Sequence, residues 1–175
     1  MPAQAPRSPR QVSLERTFNA PVERVWELWT TKDGIEAWWG PEGFRVKVHE
    51  LDPRKGGRLA YAMTATARDQ IDFLKKAGMP LTTEVVVTFT DVVPLQLLAF
   101  RQGADFIPNV KPYELATEVC FQSSPQGVKM LVRLDAMHDE HWTQMAVAGW
   151  ESQLGKLSRI LQLVTGAAFT GELSP

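Results

Sequence analysis

The sequence is poor in features that would cross-link the chain or hold it in a membrane. It contains a single cysteine, Cys120, among 175 residues, so an internal disulfide is excluded and no cysteine pattern indicates a zinc cluster. No stretch approaches the roughly 20 apolar residues that a membrane-spanning helix requires. The most apolar candidate, 92–100, is short and contains Pro94 and Gln96. The sequence therefore predicts a cytoplasmic protein, in a reducing compartment, that does not insert into a membrane.

An excess of one charge is also lacking. The 19 Lys and Arg residues are balanced by 20 Asp and Glu residues, and the two signs are mixed along the chain. Nucleic acids and anionic membrane surfaces are bound through clustered lysines and arginines, so the composition argues against both as partners. The first residues, MPAQAPRSPRQ, contain three prolines and no apolar run. They predict a flexible tail over residues 1–10 and not a secretory signal.

Short alternating segments between two helical patterns predict one α+β domain over residues 11–165, followed by a tail over 166–175. Phe44, Val46 and Val48, for example, alternate with charged or polar residues, as in a half-buried strand. A short helix is expected inside an insertion at about 68–81, where Gly78 and Pro80 are the stop signals that end it. The predicted strands cover 11–18, 44–49, 58–66, 82–92, 95–101, 113–122 and 128–135; helices are predicted to begin at Pro21, Asp69 and Asp139, with a break at 32–34 and a short turn at 35–39.

The last helix dominates the predicted architecture. It is expected to run from Asp139 to about Val164, roughly 39 Å at 1.5 Å per residue, with an apolar stripe on one face and Gly166 at its end. Consecutive antiparallel strands with helices on one face form a layered α+β fold. One helix cannot fill the concave side of a curved sheet of six or seven strands, so an apolar cavity is predicted between them.

Four motifs follow one another along the chain. They are Arg16-Thr17-Phe18-Asn19-Ala20-Pro21 followed by Val25-Trp26, Trp38-Trp39-Gly40-Pro41, Asp52-Pro53-Arg54 with Gly56-Gly57, and Gly149-Trp150 before Leu154 and Leu157. In this order they resemble the activator-of-heat-shock-protein-ninety-ATPase homologue-like family of the START-like (SRPBCC) superfamily. The resemblance covers about 12–163 and implies a helix-grip fold, in agreement with the periodicity. The family commonly has a tight hairpin where this chain has the insertion, which is either a lid over the cavity or a decoration outside it.

Aromatic and other apolar residues of the predicted inner face, with two histidines, are the candidates for lining the cavity. Aromatic rings supply large contact areas, and methionines adapt to irregular ligands. The expected partner is a small apolar or amphipathic molecule, without a cofactor, and a homodimer is left open. The candidates are Trp38, Trp39, Phe73, Phe89, Leu115, Met130, His138, His141, Trp142 and Met145.

The densest polar cluster begins the last helix. His138 and His141 are three residues apart, which on a helix brings side chains near one site, and with Glu140 they suit a metal or acid–base chemistry. The alternative is that the acidic residues offset the helix dipole and that the histidines are solvated. Because no further ligand is identifiable, no metal site and no catalytic residue is assigned.

Two residues of the predicted strands raise a similar choice. Glu118 and Arg133 fall on the polar faces of neighbouring strands, which predicts a cross-strand ion pair on the outer face. The alternative is that Glu118 is a catalytic carboxylate inside the cavity. Cys120 lies on the same face of the predicted strand as Glu118 and has no nearby histidine, so it is interpreted as a structural thiol.

Three functions follow, in decreasing order of preference. The first is a small-molecule binding domain with an apolar cavity, which requires an enclosed void larger than a few waters. The second is a cyclase- or hydrolase-type enzyme that uses the same cavity, which requires at least two ionisable side chains inside it. The third is a chaperone-associated interaction protein, which rests on the family resemblance alone.

Overall fold

The computed structural model describes residues 10–169, with side chains described through Gln162. Most of the predicted N-terminal tail and the last residues of the C-terminal tail lie outside the described residues. No helix in the described part of the chain is long and apolar enough to cross a membrane.

Eleven elements make up the described chain, in the order that the sequence predicts. At most of their ends, the observed bounds agree with the sequence predictions to within a few residues. They are β1 (Gln11–Phe18), α1 (Val22–Thr30), α2 (Lys32–Trp38), β2 (Phe44–Leu51), β3 (Arg58–Ala65), α3 (Arg68–Lys76), β4 (Thr82–Val93), β5 (Leu97–Ala104), β6 (Tyr113–Ser124), β7 (Gly127–Asp135) and α4 (Glu140–Phe169).

The strands form one antiparallel, curved sheet in the order β1-β7-β6-β5-β4-β3-β2. Strands β2 to β7 follow one another as neighbours, while α1 and α2 carry the chain from β1 at one edge to β2 at the other. Alternation decides which side chains face inward. In β7, Val128, Met130, Val132 and Leu134 are buried, whereas Lys129 and Arg133 between them are exposed. The α+β helix-grip architecture is thus confirmed.

Helix α4 packs on the inner face and is held from both sides. Its apolar residues Leu154, Leu157 and Leu161 are buried in the core. On one side Arg16 of β1 pairs with Glu151. On the other side, hydrogen bonds fasten the loop after α2 to the helix. The Gly40 N–H donates to Gln153 Oε1 (3.0 Å), Lys156 Nζ donates to the Gly40 carbonyl (3.0 Å), and the Glu42 N–H donates to Ser152 Oγ (2.8 Å).

Two helix boundaries differ from the predictions. The expected break at 32–34 is confined to Thr31, whose hydroxyl accepts a hydrogen bond from the Gly34 N–H and starts α2. The short turn predicted at 35–39 is instead part of this α-helix, which runs to Trp38. Gly34 does not break the helix; it permits close packing, because a Cβ there would lie 2.7 Å from the Leu28 Cα. The predicted end of α4 at Gly166 is wrong, since the helix continues to Phe169. A glycine inside a helix costs only about 1 kcal/mol relative to alanine, which neighbouring turns can offset.

The outer edge of the sheet at β2 is covered in part by α2. The Val48 N–H donates to Glu36 Oε1 at 2.8 Å, and the pairing of β2 with β3 shifts register between Val48 and Glu50. A helix side chain therefore occupies one backbone donor of this edge strand.

Candidate functional site

Five of the six tryptophans form a cluster where α1, α2 and α4 meet the sheet. The ring centroids of Trp29 and Trp38 are 4.7 Å apart, and those of Trp38 and Trp39 are 5.0 Å apart, both edge to face. Trp150 of α4 lies 5.4 Å from Trp39 and 6.3 Å from Trp29. Trp26 packs against Phe121 beside them. We call Trp26, Trp29, Trp38, Trp39 and Trp150 the tryptophan cluster.

The indole N–H groups of this cluster differ in their partners. Trp38 Nε1 donates to the Leu28 carbonyl at 2.8 Å. Burial raises the pKa of Tyr61, an effect that the neighbouring Trp39 indole partly opposes. Trp29 Nε1 is the one buried side-chain nitrogen or oxygen of the described residues that has no partner.

A small void lies against the cluster, in the middle of the core. Its volume is about 10 Å³, which is close to the space that one water requires. The centre of the domain is therefore almost solidly packed, and this void is smaller than the enclosed apolar cavity of more than a few waters that the sequence predicts. The void is lined by Trp29, Ile35, Trp39, Leu59, Val87, Phe89 and Phe100.

A larger cleft of about 110 Å³ opens between β5, β6 and β7 and the N-terminal half of α4. We call it the α4 cleft. Trp150 lines it and also contacts Trp29 and Trp39 of the central void, so this ring stands between the two spaces. The other lining residues are Gln102, Phe106, Leu115, Ala116, Thr117, Leu134, Asp135, Met137 and Ala146.

Polar groups interrupt the apolar wall of the α4 cleft. Thr117 is only 7% exposed, and among the described residues neither its hydroxyl nor the Gln102 amide has a side-chain hydrogen bond. The two residues are diagonal neighbours, because Thr117 is opposite Phe100 and Gln102 is opposite Leu115. Because Trp29 Nε1 is the one buried side-chain nitrogen or oxygen of the described residues that lacks a partner, these two polar groups are open to the cleft and available to a bound molecule.

Asp135 is the one ionisable residue among those that line the cleft, and its carboxylate is already engaged. Asp135 Oδ2 accepts a hydrogen bond from the Ala116 N–H at 2.9 Å, and Oδ1 accepts one from Gln11 Nε2 at 3.5 Å. The lining therefore does not bring together the two ionisable side chains that a catalytic cavity requires.

The predicted histidine cluster lies beside the cleft. His138 Nδ1 is 3.0 Å from the Tyr113 hydroxyl, and the Trp142 ring packs 6.0 Å from Phe106, which lines the cleft. His138 precedes α4, because Asp139 caps the helix by accepting from the Trp142 N–H at 2.8 Å. The expectation that His138 and His141 share a helix face is therefore wrong.

The other candidate residues are dispersed over the domain. Leu115 lines the α4 cleft, while Trp39 and Phe89 line the central void. Trp38 and Met130 are fully buried core residues. His141 is exposed, as are Phe73 (61%) and Met145 (49%). Sequence patterns predict which face of a strand or helix a side chain lies on. They do not show which of the inward side chains line a cleft or void.

The inserted helix α3 does not reach the cleft. It packs against the loop before β2, where a Cβ on Gly43 would lie 2.8 Å from Gln70 Cγ, and Leu74 is its buried residue. None of the residues that line the α4 cleft belongs to α3. The position agrees with a decoration outside the cavity.

The outer face of the sheet carries the ion pair that the sequence predicts. Arg133 Nη1 lies 2.9 Å from Glu118 Oε1, and the two residues are directly opposite on β7 and β6. Burial, together with the Glu118 charge, raises the pKa of the neighbouring Cys120 thiol, which makes it a poor nucleophile. In the described part of the chain, no group of three His, Cys, Asp or Glu side chains could hold a metal ion.

A third space is an open groove of about 360 Å³ beside β2. His49 and Lys32 lie in its wall, and His49 Nε2 is 3.3 Å from Glu84. Because binding sites for small molecules enclose most of the ligand surface, we take the narrower α4 cleft and not this groove as the candidate site.

Lys156, which fastens α4 to Gly40, gives a pH-dependent prediction. Its ammonium group is half-buried, and this desolvation lowers its pKa. A lysine with a lowered pKa in the folded state favours folding more as pH rises toward its unfolded pKa, since the native state binds fewer protons. We therefore expect the free energy of unfolding of the wild type, relative to Lys156→Met, to increase as the pH rises toward the ordinary lysine pKa of about 10.5. Urea unfolding at several pH values measures this difference, and a constant or falling difference would contradict it.

The fold and the cleft together define the class of this protein: a START-like domain, with a curved antiparallel sheet around a long C-terminal helix. The chain belongs to the family described as Activator of Hsp90 ATPase homolog 1-like protein, which it matches over residues 19–162. A comparison with curated proteins finds no match.

Solved structures of bacterial proteins share the fold. A protein from Chromobacterium violaceum is 22% identical, with a TM-score of 0.71 over 86% of this chain and 96% of that one. The AHSA1 protein of Silicibacter pomeroyi is 22% identical, with a TM-score of 0.69 over 88% and 99%. An AHSA1-like protein from Aeromonas hydrophila is 22% identical, with a TM-score of 0.66 over 89% and 94%. Identities this low establish the architecture alone.

Proposed function

We propose that this domain binds a small amphipathic molecule in the α4 cleft. The observation that carries the proposal is the lining itself, in which apolar walls surround the unpaired side chains of Thr117 and Gln102. Pockets for small molecules typically combine a mostly apolar lining with a few polar groups that fix the orientation of the ligand. The START-like fold supports a role of this kind at the level of the family.

The size of the cleft limits the ligand that it takes without rearrangement. Its 110 Å³ is smaller than the roughly 300–1,000 Å³ of most ligand pockets. A cavity of about 150 Å³ holds benzene, so a single ring or a short branched chain is the expected scale. Trp150, which stands between the cleft and the central void, is the side chain whose rotation would admit a longer molecule.

Catalysis in the same cleft is the second candidate function. It is favoured by the Tyr113–His138 pair, a phenol and an imidazole joined at 3.0 Å beside the cleft. Against it, Asp135 is the one ionisable residue of the lining. Chemical conversion of the bound molecule during incubation would favour an enzyme, and its unchanged recovery would favour a binding protein. The chaperone-associated role stays a prediction, tested by binding to a purified chaperone.

Filling the cleft tests the binding proposal. Ala146 lines the cleft, whereas Ala148 on the same helix is exposed. Ala146→Phe places a ring of about the size of benzene in this space, and we expect it to remove the bound molecule. Ala148→Phe makes the same substitution on the solvent face and should leave binding unchanged. Native mass spectrometry of protein purified from its own source, with denaturing extraction of the ligand, measures both.

The outcomes separate clearly. A small molecule that accompanies the wild type and Ala148→Phe, but not Ala146→Phe, supports the proposal. Equal recovery from both variants would place the molecule elsewhere. Wild-type protein that carries nothing, and binds no single-ring compound in an NMR titration at millimolar concentration, would overturn the proposal.

A further inference from the structure

We infer that the α4 cleft selects uncharged molecules over anionic ones, and that Thr117 and Gln102 bind the polar end of the ligand. This inference rests on the proposed function, because it names the chemical class of the ligand for the same site. It follows from the charges that face the cleft and from the polar groups that lack partners there.

The lining of the cleft contains no cation. Among its residues in the described chain there is no lysine, arginine or histidine, and Asp135 supplies the one formal charge. Removing a carboxylate from water is costly unless a cation or several donors replace the solvent. The one formal charge among the lining residues is therefore of the same sign as a bound carboxylate, and like charges at close range repel.

The basic side chains around the cleft have partners elsewhere. Arg101 and Arg133 lie on the outer face of the sheet, where they pair with Glu114 and Glu118. At the start of α4, Arg10 pairs with Glu140 and His138 hydrogen bonds to Tyr113, and further along the helix Lys156 donates to the Gly40 carbonyl. None of these five side chains lines the cleft, so none is placed to offset the charge of an anionic ligand.

Thr117 and Gln102 match a neutral polar group. A hydroxyl and a carboxamide can each donate and accept hydrogen bonds, and these two lie at diagonal positions on β6 and β5. Thr117 is 93% buried, since 7% of its surface is exposed. Their polar groups are open to the cleft, and an alcohol, amide or ketone of the ligand would hydrogen bond to both side chains in place of water without adding charge.

Benzamide and benzoate test the inference, because they have nearly the same shape and differ in charge. In an NMR titration near pH 7, we expect benzamide to bind in the cleft at least about 10-fold more tightly than benzoate, the effect of one good hydrogen bond or one uncompensated charge. Thr117→Val, which keeps the volume and removes the hydroxyl, should weaken benzamide about 5- to 10-fold. Thr88→Val, the same change at an exposed position of β4, is the matched control and should leave benzamide binding unchanged.

Each result has one meaning. Benzoate that binds as tightly as benzamide would overturn the selection of uncharged ligands while leaving the binding function intact. Benzamide that is unaffected by Thr117→Val would overturn the role of Thr117. If neither compound perturbs residues of the cleft, and unsubstituted benzene also fails to bind, then the proposed binding function is wrong and the inference fails with it.

Discussion

Replacing Gly57 with alanine is expected to lower the free energy of unfolding by about 3 kcal/mol, the upper part of the usual range for overpacking. A Cβ at this position would overlap the Asp52 carbonyl oxygen and lie 2.8 Å from Asp52 Cγ. The turn cannot move aside easily, because the Gly57 N–H donates to the Arg54 carbonyl at 2.7 Å and its carbonyl accepts from the Phe89 N–H at 2.9 Å. Urea unfolding followed by circular dichroism measures the loss.

The adjacent Gly56 provides the matched control. It has a φ of +83°, but a Cβ there would meet nothing within 4 Å. Gly56→Ala should therefore cost only the strain of a left-handed conformation, about 1 kcal/mol. Similar losses for the two variants would show that the Gly-Gly pair is required for backbone conformation alone and not for the close approach of Asp52.

Trp38→Phe is expected to destabilise the fold by about 3 kcal/mol, because it removes ring packing and leaves one hydrogen-bond acceptor without a partner. Trp38 is fully buried, and its Nε1 donates to the Leu28 carbonyl at 2.8 Å. Leu28 lies in the last turn of α1, where backbone carbonyls lack partners within the helix. Phenylalanine would leave this carbonyl buried and unpaired.

Trp29→Phe makes the same change in side chain without the hydrogen bond. Trp29 is 4% exposed, but its Nε1 has no partner to lose, so the substitution removes an unsatisfied donor along with ring contacts. We expect the loss of unfolding free energy to be smaller than for Trp38→Phe by about 1–3 kcal/mol. Thermal and urea unfolding of both variants give the comparison. A larger loss for Trp29→Phe would mean that packing, and not the bond to Leu28, dominates in this cluster.

Strand alternation is what made the fold predictable from the sequence. The pattern of β6 and β7 puts Val119 and Val132 inward and Glu118 and Arg133 outward, and the structure pairs them in that register. Helix ends were harder to predict, because glycine has more than one use. Gly34 permits close packing of α1 and α2, and Gly166 lies within α4, although both read as stop signals.

The site was less predictable, because a cleft depends on where helices rest on a sheet. Leu115 lies on the inner face, as predicted, and lines the cleft. Met130 lies on the same face of the next strand but is fully buried in the core. Gln102 was missed because the predicted strand ended at Arg101, whereas β5 continues to Ala104. One usable signal was Thr117, a hydroxyl among the inward apolar residues of β6.

The contact between Glu36 and Val48 bears on how copies of this chain can associate. Sheets grow between molecules when an incoming strand finds a row of unused donors and acceptors along an edge. On β2 one donor is already bound by Glu36, and the adjacent shift in register bends the ladder that a second strand would have to follow. Self-templated stacking into fibres is therefore discouraged at this edge. β1, the other edge of the sheet, is the alternative place for two sheets to join in a homodimer.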